Sequence, residues 1–585
     1  MARNKKKRRI NVPATGINLV VSADYNEMMK YSLSEIEIIS HFRNASIGNL
    51  LPAISRLIAS FHMDNTDAVL NEVIIRCWEH GLHEEYIERI LQYKRLNVIF
   101  NNRQMLLNAV KWLLVHADAA TYNDVPEVNN PSTFMHCFYL STMLSSFYRI
   151  STDMEIIELE SVQNGNFNRT VNYLHTVQRS IECYLNIASQ KDRFQAKEYV
   201  DIADLFYKST GVNIRTYLFF MTAINASFFP SGNVREFIWT NKMVNDVHKY
   251  VQYLGIEIDE IRKLFLMTTI SIEEFRENFE KSTLHRWDFN YFRKKPIIRQ
   301  GRIFYPLDSQ FVLENMWDGL YWRIIDGLSP EEANKFRIFI GRIFELYCHG
   351  LLVNAESSLR KARYIPEFQY KYAKNNLLSP DGFIQYRNDL LVFDYKAKRL
   401  NMQTTLVAGD IDSFERDISQ LIIEPVKKVY AHIKRFIETP LESVPIDFTK
   451  VKKIHGVIVT QGSLSGVKIV YERIEQRLRD EGLYDMGSLI EWHLLDVDEF
   501  EELVSLMEQG CNLGNTFSQK ASSRYRYLSF HDYLAYARRP HRPSCTAKKR
   551  FNEWLDYVIE VMERNSPSET NERPEADMKP QSSEP

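Results

Sequence analysis

The sequence has few cysteines, and none of them is arranged for metal binding or for disulfide pairing. Its six cysteines are scattered over 585 residues, without a Cys-x-x-Cys pair and without paired histidine spacing. This pattern excludes a zinc module and a small disulfide-stabilised scaffold. We therefore expect each cysteine to serve as a small buried apolar residue in a reducing compartment.

Signals for membranes and for several enzyme classes are also missing. No segment reaches the roughly 18–20 consecutive apolar residues of a transmembrane helix. The basic run Lys5–Arg9 is not followed by the apolar segment of a secretory signal. No Gly-x-x-x-x-Gly-Lys-Ser/Thr loop and no Gly-x-Ser-x-Gly elbow is present, so neither ATP hydrolysis nor serine-hydrolase chemistry is supported. We expect a soluble, cytoplasmic protein that does not associate with membranes.

Residues 26–286 are predicted to be mainly helical, because apolar residues recur there at spacings of three and four. Ser32 and Glu35 have the spacing of a capping box and predict that a helix starts at this point. A helical region of this kind suits a scaffold, homo-oligomerisation, regulation or the binding of a protein partner. The sequence leaves these alternatives open.

The chain after this region changes pattern. Residues 287–330 predict a connecting hairpin that bends at Gly301, followed by a helix over Gln310–Asp326. The aromatic residues of this helix are predicted to lie in the core rather than to form a stacking platform for bases. Ser329 and the following proline predict the start of the next helix. The predicted segments are a basic flexible N-terminus (1–25), a helical scaffold or regulatory domain (26–286), a connector (287–330), a nuclease-like domain (331–510), a basic helical segment (511–564) and a disordered tail (565–585).

The most informative segment is Ser379–Lys398, which predicts a β-hairpin with acidic residues on both strands. The first strand starts at Asp381, a polar turn follows, and an apolar second strand ends at Asp394. Because side chains alternate along a strand, Asp394, Lys396 and Lys398 are expected on one face. Two carboxylates, a lysine and a divalent cation are sufficient for hydrolysis of a phosphodiester.

This hairpin resembles the PD-(D/E)xK nuclease superfamily, which includes restriction endonucleases and RecB-type nucleases. Pro380 and Asp381 match its PD element, and Asp394 and Lys396 match its (D/E)xK element. The superfamily usually carries a glutamate on a preceding helix, and Glu345 fits that place. The resemblance extends over about residues 330–510 and says nothing about the N-terminal half.

The resemblance also implies roles for individual residues. The implied catalytic residues are Glu345, Asp381, Asp394 and Lys396. The implied ligands of Mg²⁺ or Mn²⁺ are Asp381, Asp394, the backbone carbonyl of Tyr395 and Glu345. Lys396 would orient or deprotonate the attacking water or stabilise the transition state, and Lys398 would hold a neighbouring phosphate. Glu367 is a weaker alternative acid, and Gln420 loosely matches a helical glutamine of RecB-type relatives.

The elements after the hairpin complete the expected fold. Residues 406–436 predict a helix that Pro425 kinks or restarts, and Ile454–Thr460 and Trp492–Val497 predict buried strands. The predicted fold class is multidomain α + α/β. It consists of a large mainly helical N-terminal region followed by a restriction-endonuclease-like mixed β-sheet that is flanked by helices.

Nucleic-acid binding would require local basic surface, because the net charge of the chain is only −2. The predicted contacts in the C-terminal segment, where basic and aromatic residues alternate, are Arg524, Arg526, Arg538, Arg539 and Arg542. A solvated loop between two helices explains this segment equally well. A second basic group, around the connector hairpin, is Arg293, Lys294, Lys295, Arg299 and Arg302.

The sequence therefore predicts a Mg²⁺-dependent endodeoxyribonuclease, with DNA as the expected partner and RNA as the less favoured one. Helical regions fused to such nucleases imply, by the same resemblance, a role in microbial antiviral defence against foreign DNA. The alternative is a non-catalytic nucleic-acid-binding or structural scaffold protein that retains the nuclease fold.

Overall fold

The computed structural model describes most of the chain. The described residues are 25–61, 66–94, 102–123, 130–148, 153–168, 171–226, 245–246, 251–252, 254–279, 284–359, 361–439, 443–464, 467–537 and 543–565. No helix among them is both long and apolar enough to cross a membrane.

Helices dominate the described residues up to the connector. They are α1 (Tyr25–Met29), α2 (Glu35–Arg43), α3 (Ile47–Phe61), α4 (Thr66–Glu79), α5 (Glu84–Lys94), α6 (Arg103–His116), α7 (Pro131–Met143), α8 (Met154–Phe167), α9 (Tyr173–Ile181), α10 (Ile202–Thr210), α11 (Ile214–Ala226), α12 (Ile258–Thr268) and α13 (Ile272–Glu277). The predicted helical character of this region is confirmed for the described residues. The capping box is formed by Ser34 and Glu37 instead of Ser32 and Glu35, so the predicted start of α2 was wrong by two residues.

A small sheet lies beside these helices. Its strands are β1 (Asn245–Asp246), β2 (Thr269–Ile270), β3 (Ile297–Gln300) and β4 (Ile303–Pro306), in the order β1-β4-β3-β2. The pair β3–β4 is the predicted connector hairpin, and Gly301 occupies its turn with a φ of 56°. Since a positive φ is strained for residues with a Cβ, glycine is the favoured residue at this bend.

The second half of the chain adds seven strands and eleven helices to the described structure. The helices are α14 (Asn290–Lys294), α15 (Ser309–Glu314), α16 (Leu320–Ile325), α17 (Pro330–Ala355), α18 (Ile411–Ile418), α19 (Glu424–Glu438), α20 (Lys468–Asp480), α21 (Val497–Glu508), α22 (Leu513–Ser522), α23 (Phe530–Tyr536) and α24 (Cys545–Arg564). The strands are β5 (Arg363–Pro366), β6 (Gln369–Tyr372), β7 (Asn375–Leu378), β8 (Gly382–Gln385), β9 (Asp389–Lys396), β10 (Lys453–Thr460) and β11 (Ile490–Asp496).

The main sheet has five strands in the order β11-β10-β9-β8-β5. The pairs β5–β8 and β8–β9 are antiparallel, whereas the pairs β9–β10 and β10–β11 are parallel. The coarse prediction of a helical region followed by a mixed sheet with flanking helices is confirmed. Mixed sheets of this size occur in many fold families, so this sheet alone does not identify a restriction-endonuclease-like fold.

Helices cover both faces of this sheet because its strands are apolar on both sides. Phe393 and Tyr395 of β9 pack against Phe500 of α21, and α17 covers the same face. On the opposite face, Leu390 and Val392 share an apolar cluster with the residues of α19. Strands buried on both faces read as continuous apolar runs, which is why β9 and β10 were recognisable in the sequence.

A buried polar network joins the helical half to the sheet region. Arg179 on α9 donates hydrogen bonds of 2.9 Å to both Asp498 and Glu501 on α21. Tyr347 on α17 donates to Glu501 at 2.6 Å, and Arg179 also lies over the ring of Trp317. Because each charge in this network is paired inside the protein, the network fixes how α9, α17 and α21 pack.

Candidate functional site

The predicted hairpin is present, and it brings the two aspartates together. Strands β8 and β9 are antiparallel and pair Gly382 with Phe393, so the same register places Asp381 opposite Asp394. The backbone N–H of Asp381 donates to the carbonyl of Phe393 at 3.1 Å. In return, the N–H of Tyr395 donates to Oδ2 of Asp381 at 2.6 Å. Directly opposed residues of a ladder have adjacent side chains, so the two carboxylates form a cross-strand pair.

Alternation along β9 determines which side chains reach this pair. The rings of Phe393 and Tyr395 enter the core beneath α17 and α21. Asp394 and Lys396 therefore point to the other face, as predicted. Asp394 has no exposed surface at all. Strand β9 ends at Lys396, so Lys398 lies beyond the sheet rather than on the same strand face, which corrects its predicted placement.

The electrostatic state of Asp381 reflects its crowded surroundings. Burial, followed by the nearby charge of Asp394, raises the pKa of Asp381 from 3.8 to about 7. The Lys396 ammonium and the N–H of Tyr395 oppose this rise, and Glu345 adds to it. Ionising two neighbouring carboxyl groups away from water costs free energy, and a bound cation would offset this cost.

Lys396 supplies the positive charge at this point. Its Nζ lies 2.5 Å from Oδ2 of Asp394 and donates to the backbone carbonyl of Tyr395 at 3.3 Å. Burial acts to lower the pKa of Lys396, but the charges of Asp394 and Asp381 outweigh it and the pKa is raised. The ammonium group thus contacts two of the oxygens that the sequence assigned to a metal ion.

Glu345 lies near this group without joining its hydrogen bonds. It is partly exposed on α17 and forms an ion pair of 2.8 Å with Arg342. The negative charge of Glu345 is close enough to raise the pKa values of both Asp381 and Lys396. Glu367, the weaker alternative acid, is exposed between β5 and β6. Its charge contributes to raising the pKa of Arg342.

The donor set fits a hard divalent cation. Oδ1 of Asp394 is buried without a hydrogen-bond partner in the described part of the chain. Together with Asp381 and the Tyr395 carbonyl, it offers only oxygen ligands, which Mg²⁺ and Mn²⁺ prefer. No group of three or more His, Cys, Asp and Glu side chains in the described ranges is close enough to hold a metal ion. A cation would therefore rely on the backbone carbonyl and on water in addition to the two carboxylates.

A cleft of about 1310 Å³ opens beside this group. Lys396 and Glu345 line the cleft, together with Lys398 and the exposed Gln420. Other parts of its wall come from the helical half, the connector and the first turns of α17. The residues that line this wall include Lys263, Leu266, Arg293, Lys294, Asp318, Tyr321, Trp322, Arg323, Arg337 and Ile338. Neither Asp381 nor Asp394 lines the cleft, so Lys396 is the member of this group that borders it.

The predicted nucleic-acid contacts are distributed differently. Lys398 is exposed and lines the cleft. Arg524 is exposed and lies over the ring of Tyr525, whereas Arg526 forms hydrogen bonds of 2.7 Å with both carboxylate oxygens of Glu475. Neither arginine lines the cleft. The three remaining candidates, Arg538, Arg539 and Arg542, lie outside the described residues.

Sequence reasoning missed several residues of the cleft. Trp317 is buried as predicted, but Trp322 is 39% exposed and lines the cleft with Tyr321. In a regular α-helix, a spacing of five residues separates two side chains by about 140° of rotation, which already argued against one shared core face. In the structure Trp317 lies in a π-helical turn, Asn315–Gly319, and Trp322 lies in α16. Arg337 carried no comparable signal, because a single exposed arginine on a helix is common.

A scan against models of protein families found no match, and a search of curated proteins found no similar protein.

Proposed function

We propose that the chain is a metal-dependent nuclease that hydrolyses phosphodiester bonds in DNA. The observation that carries this proposal is the cross-strand pair of Asp381 and Asp394 with Lys396 in contact. This group lies beside a cleft that is large enough for a polymer substrate. The combination of carboxylates, a lysine and an accessible cleft suits phosphodiester hydrolysis better than a structural role.

The metal site would consist of Asp381, Asp394 and the carbonyl of Tyr395. A Mg²⁺ or Mn²⁺ ion held there would supply Lewis acidity at the phosphate and lower the pKa of water. Asp381, whose pKa of about 7 lies near neutrality in the metal-free protein, would lose its proton when the cation binds. Glu345, on the rim of the cleft, would adjust the charge of the site.

Lys396 would act as a cation rather than as a base. Its pKa is raised, so the ammonium form prevails at neutral pH. With Asp394 engaged as a metal ligand, the Lys396 ammonium would stabilise negative charge that develops on the phosphate. Its place on the cleft wall is consistent with this task.

The proposal is tested by incubating the purified full-length protein with supercoiled plasmid and Mg²⁺, with EDTA as the reference condition. We expect Asp394→Asn and Lys396→Ala each to reduce cleavage by at least about 100-fold, as removal of a key electrostatic group does in other enzymes. Asp389→Asn, at the other end of the same strand, is the matched control and should cut like the wild type.

A binding measurement separates loss of metal from loss of chemistry. Mn²⁺ titration followed by electron paramagnetic resonance should show a bound ion in the wild type and in Lys396→Ala, but not in Asp394→Asn. Equal cleavage by the wild type and Asp394→Asn would contradict the proposal. So would an unchanged Mn²⁺ affinity after removal of Asp394.

A further inference from the structure

Three large apolar side chains are exposed in the cleft. Leu266 on α12 is 74% exposed, Trp322 on α16 is 39% exposed and Ile338 on α17 is 60% exposed, and all three line the cleft. Leu266 comes from the helical half, and Trp322 and Ile338 come from the consecutive helices α16 and α17. Grouped apolar side chains that remain accessible to solvent are typical of a binding surface.

Positive charge accompanies these apolar groups. The lining residues include eight lysines and arginines against five aspartates and glutamates, although the whole chain has a net charge of −2. Several of these cations are already paired, such as Arg399 with Asp318 at 2.8 Å. Arg337 and Lys398 are exposed, and neither forms an ion pair with any described residue. These two cations are therefore available to bind an anionic ligand.

Size and chemistry together restrict the ligand. The cleft volume of about 1310 Å³ exceeds the ~300–1,000 Å³ of ordinary small-molecule sites. A duplex presents phosphates on its outside and keeps its bases stacked inside, so it would leave Trp322 and Ile338 without partners. A single strand presents phosphates and base faces at the same time, and aromatic side chains among basic residues bind it by stacking and by charge.

We propose that this cleft binds a single-stranded segment of nucleic acid, with a base stacked on Trp322 and with phosphates held by Arg337 and Lys398. This inference rests on the proposed nuclease function and deepens it. The bound strand would run from α16 and α17 towards Lys396, where the proposed cleavage takes place. The helical half then forms part of the substrate site, because it supplies one wall of the cleft.

The test measures binding without cleavage. Full-length Asp394→Asn protein in EDTA is titrated against a fluorescein-labelled oligonucleotide of about 16 nucleotides and against the duplex of the same sequence. We expect the single strand to bind at least about 10-fold more tightly than the duplex. Adding Trp322→Ala should weaken single-strand binding by about 10-fold, because it removes one stacked base. The matched control is Trp78→Ala, since Trp78 is an exposed tryptophan on α4.

Salt dependence tests the two cations. Arg337→Ala combined with Lys398→Ala should reduce the slope of log K against log salt by about 1.4, because each lost phosphate contact on a single strand removes about 0.7. Lys335→Ala is the control, since Lys335 is exposed on the same helix as Arg337 but does not line the cleft.

Two results would overturn the inference: tighter binding of the duplex than of the single strand, or single-strand binding that Trp322→Ala leaves unchanged. Plasmid cleavage by the protein with Asp394 intact is scored separately. Binding as expected without Mg²⁺-dependent cleavage would reject the nuclease proposal and support the single-strand cleft. Cleavage with binding unaffected by the cleft variants would support the nuclease and reject the cleft.

Discussion

Replacement of Asp381 by asparagine should stabilise the metal-free protein at alkaline pH, and by progressively less as the pH falls towards 4. In the folded protein, burial and the charge of Asp394 raise the pKa of Asp381 to about 7. Asparagine is nearly isosteric with protonated aspartate, and its side-chain oxygen can still accept the hydrogen bond from the N–H of Tyr395. The substitution therefore removes a charge and keeps the shape.

The sign of this stability change follows from the direction of the pKa shift. Since the pKa is higher in the folded protein than in the unfolded chain, the contribution of Asp381 to stability is fully present below about pH 4. It is lost as the pH rises through 7. The interval from 3.8 to about 7 corresponds to at most about 4 kcal/mol, because one pKa unit is worth about 1.4 kcal/mol. Allowing for relaxation around the charge, we expect Asp381→Asn to gain about 1–3 kcal/mol at pH 8.5 and less than half of that gain at pH 5.

The assay is thermal unfolding of the wild type and of Asp381→Asn at pH 5 and pH 8.5 in EDTA. The control is Asp556→Asn, since Asp556 is exposed on α24, and its unfolding midpoint should follow the wild type at both pH values. Added Mg²⁺ should raise the midpoint of the wild type more than that of Asp381→Asn. If Asp381→Asn is no more stable than the wild type at pH 8.5, the pKa of Asp381 is not raised by burial and by Asp394, and the electrostatic argument for a cation site is refuted.

Two further substitutions test the framework around the site. Glu501→Ala removes a partner of the buried Arg179 and should lower the free energy of unfolding by about 3 kcal/mol or more. Urea denaturation measures this loss. A loss below about 1 kcal/mol would show that the network is dispensable. Gly456→Ala places a Cβ 2.2 Å from the ring of Trp492 and should cost about 1–3 kcal/mol. Gly350→Ala, where a helical Cβ meets no atom within 4 Å, should instead stabilise the protein by about 0.5–1 kcal/mol. Equal effects of both glycine variants would contradict the packing argument.

The hairpin was predictable because its determinants are local. Asp381 and Asp394 are joined by one short turn, and the apolar run between them leaves only one register that buries Leu390–Phe393. A shift of one residue would turn the buried side chains towards the other face. Burial on both faces made β9 and β10 stand out as apolar runs for the same reason.

The start of α2 shows the limit of local rules. Ser32 with Glu35 and Ser34 with Glu37 both have the spacing of a capping box. The second pair forms the box, in which the side chain of Glu37 accepts from the N–H of Ser34 at 2.7 Å. Starting there places Ile38 and Phe42 in the core. Tertiary packing thus chose between two starts that the local sequence could not rank.

The cleft could not be predicted, because its walls meet only after long-range packing. Leu266 and Trp322 are far from Lys396 in sequence, and each, considered alone, is an ordinary apolar residue on a helix. What distinguishes them is their exposure beside a basic surface, which depends on how α12, α16 and α17 pack. Composition concealed the basic surface as well, because five acidic side chains lie on the same walls as its cations.

The division between local and long-range determinants has a functional consequence. The charges proposed for catalysis are concentrated on one hairpin, where Asp394 and Lys396 are two residues apart and their geometry is set by the pleat of a single strand. Groups that would select the substrate lie mostly outside the hairpin, on α12 of the helical half and on α16 and α17. Substitutions in α12 or α16 are therefore expected to alter which nucleic acid is bound while the pair Asp381–Asp394 stays intact. Because α17 carries both Arg337 and Glu345, it connects the selecting wall to the reactive group. A displacement of this one helix would move both residues together, which makes α17 the element through which strand binding and catalysis would be coupled.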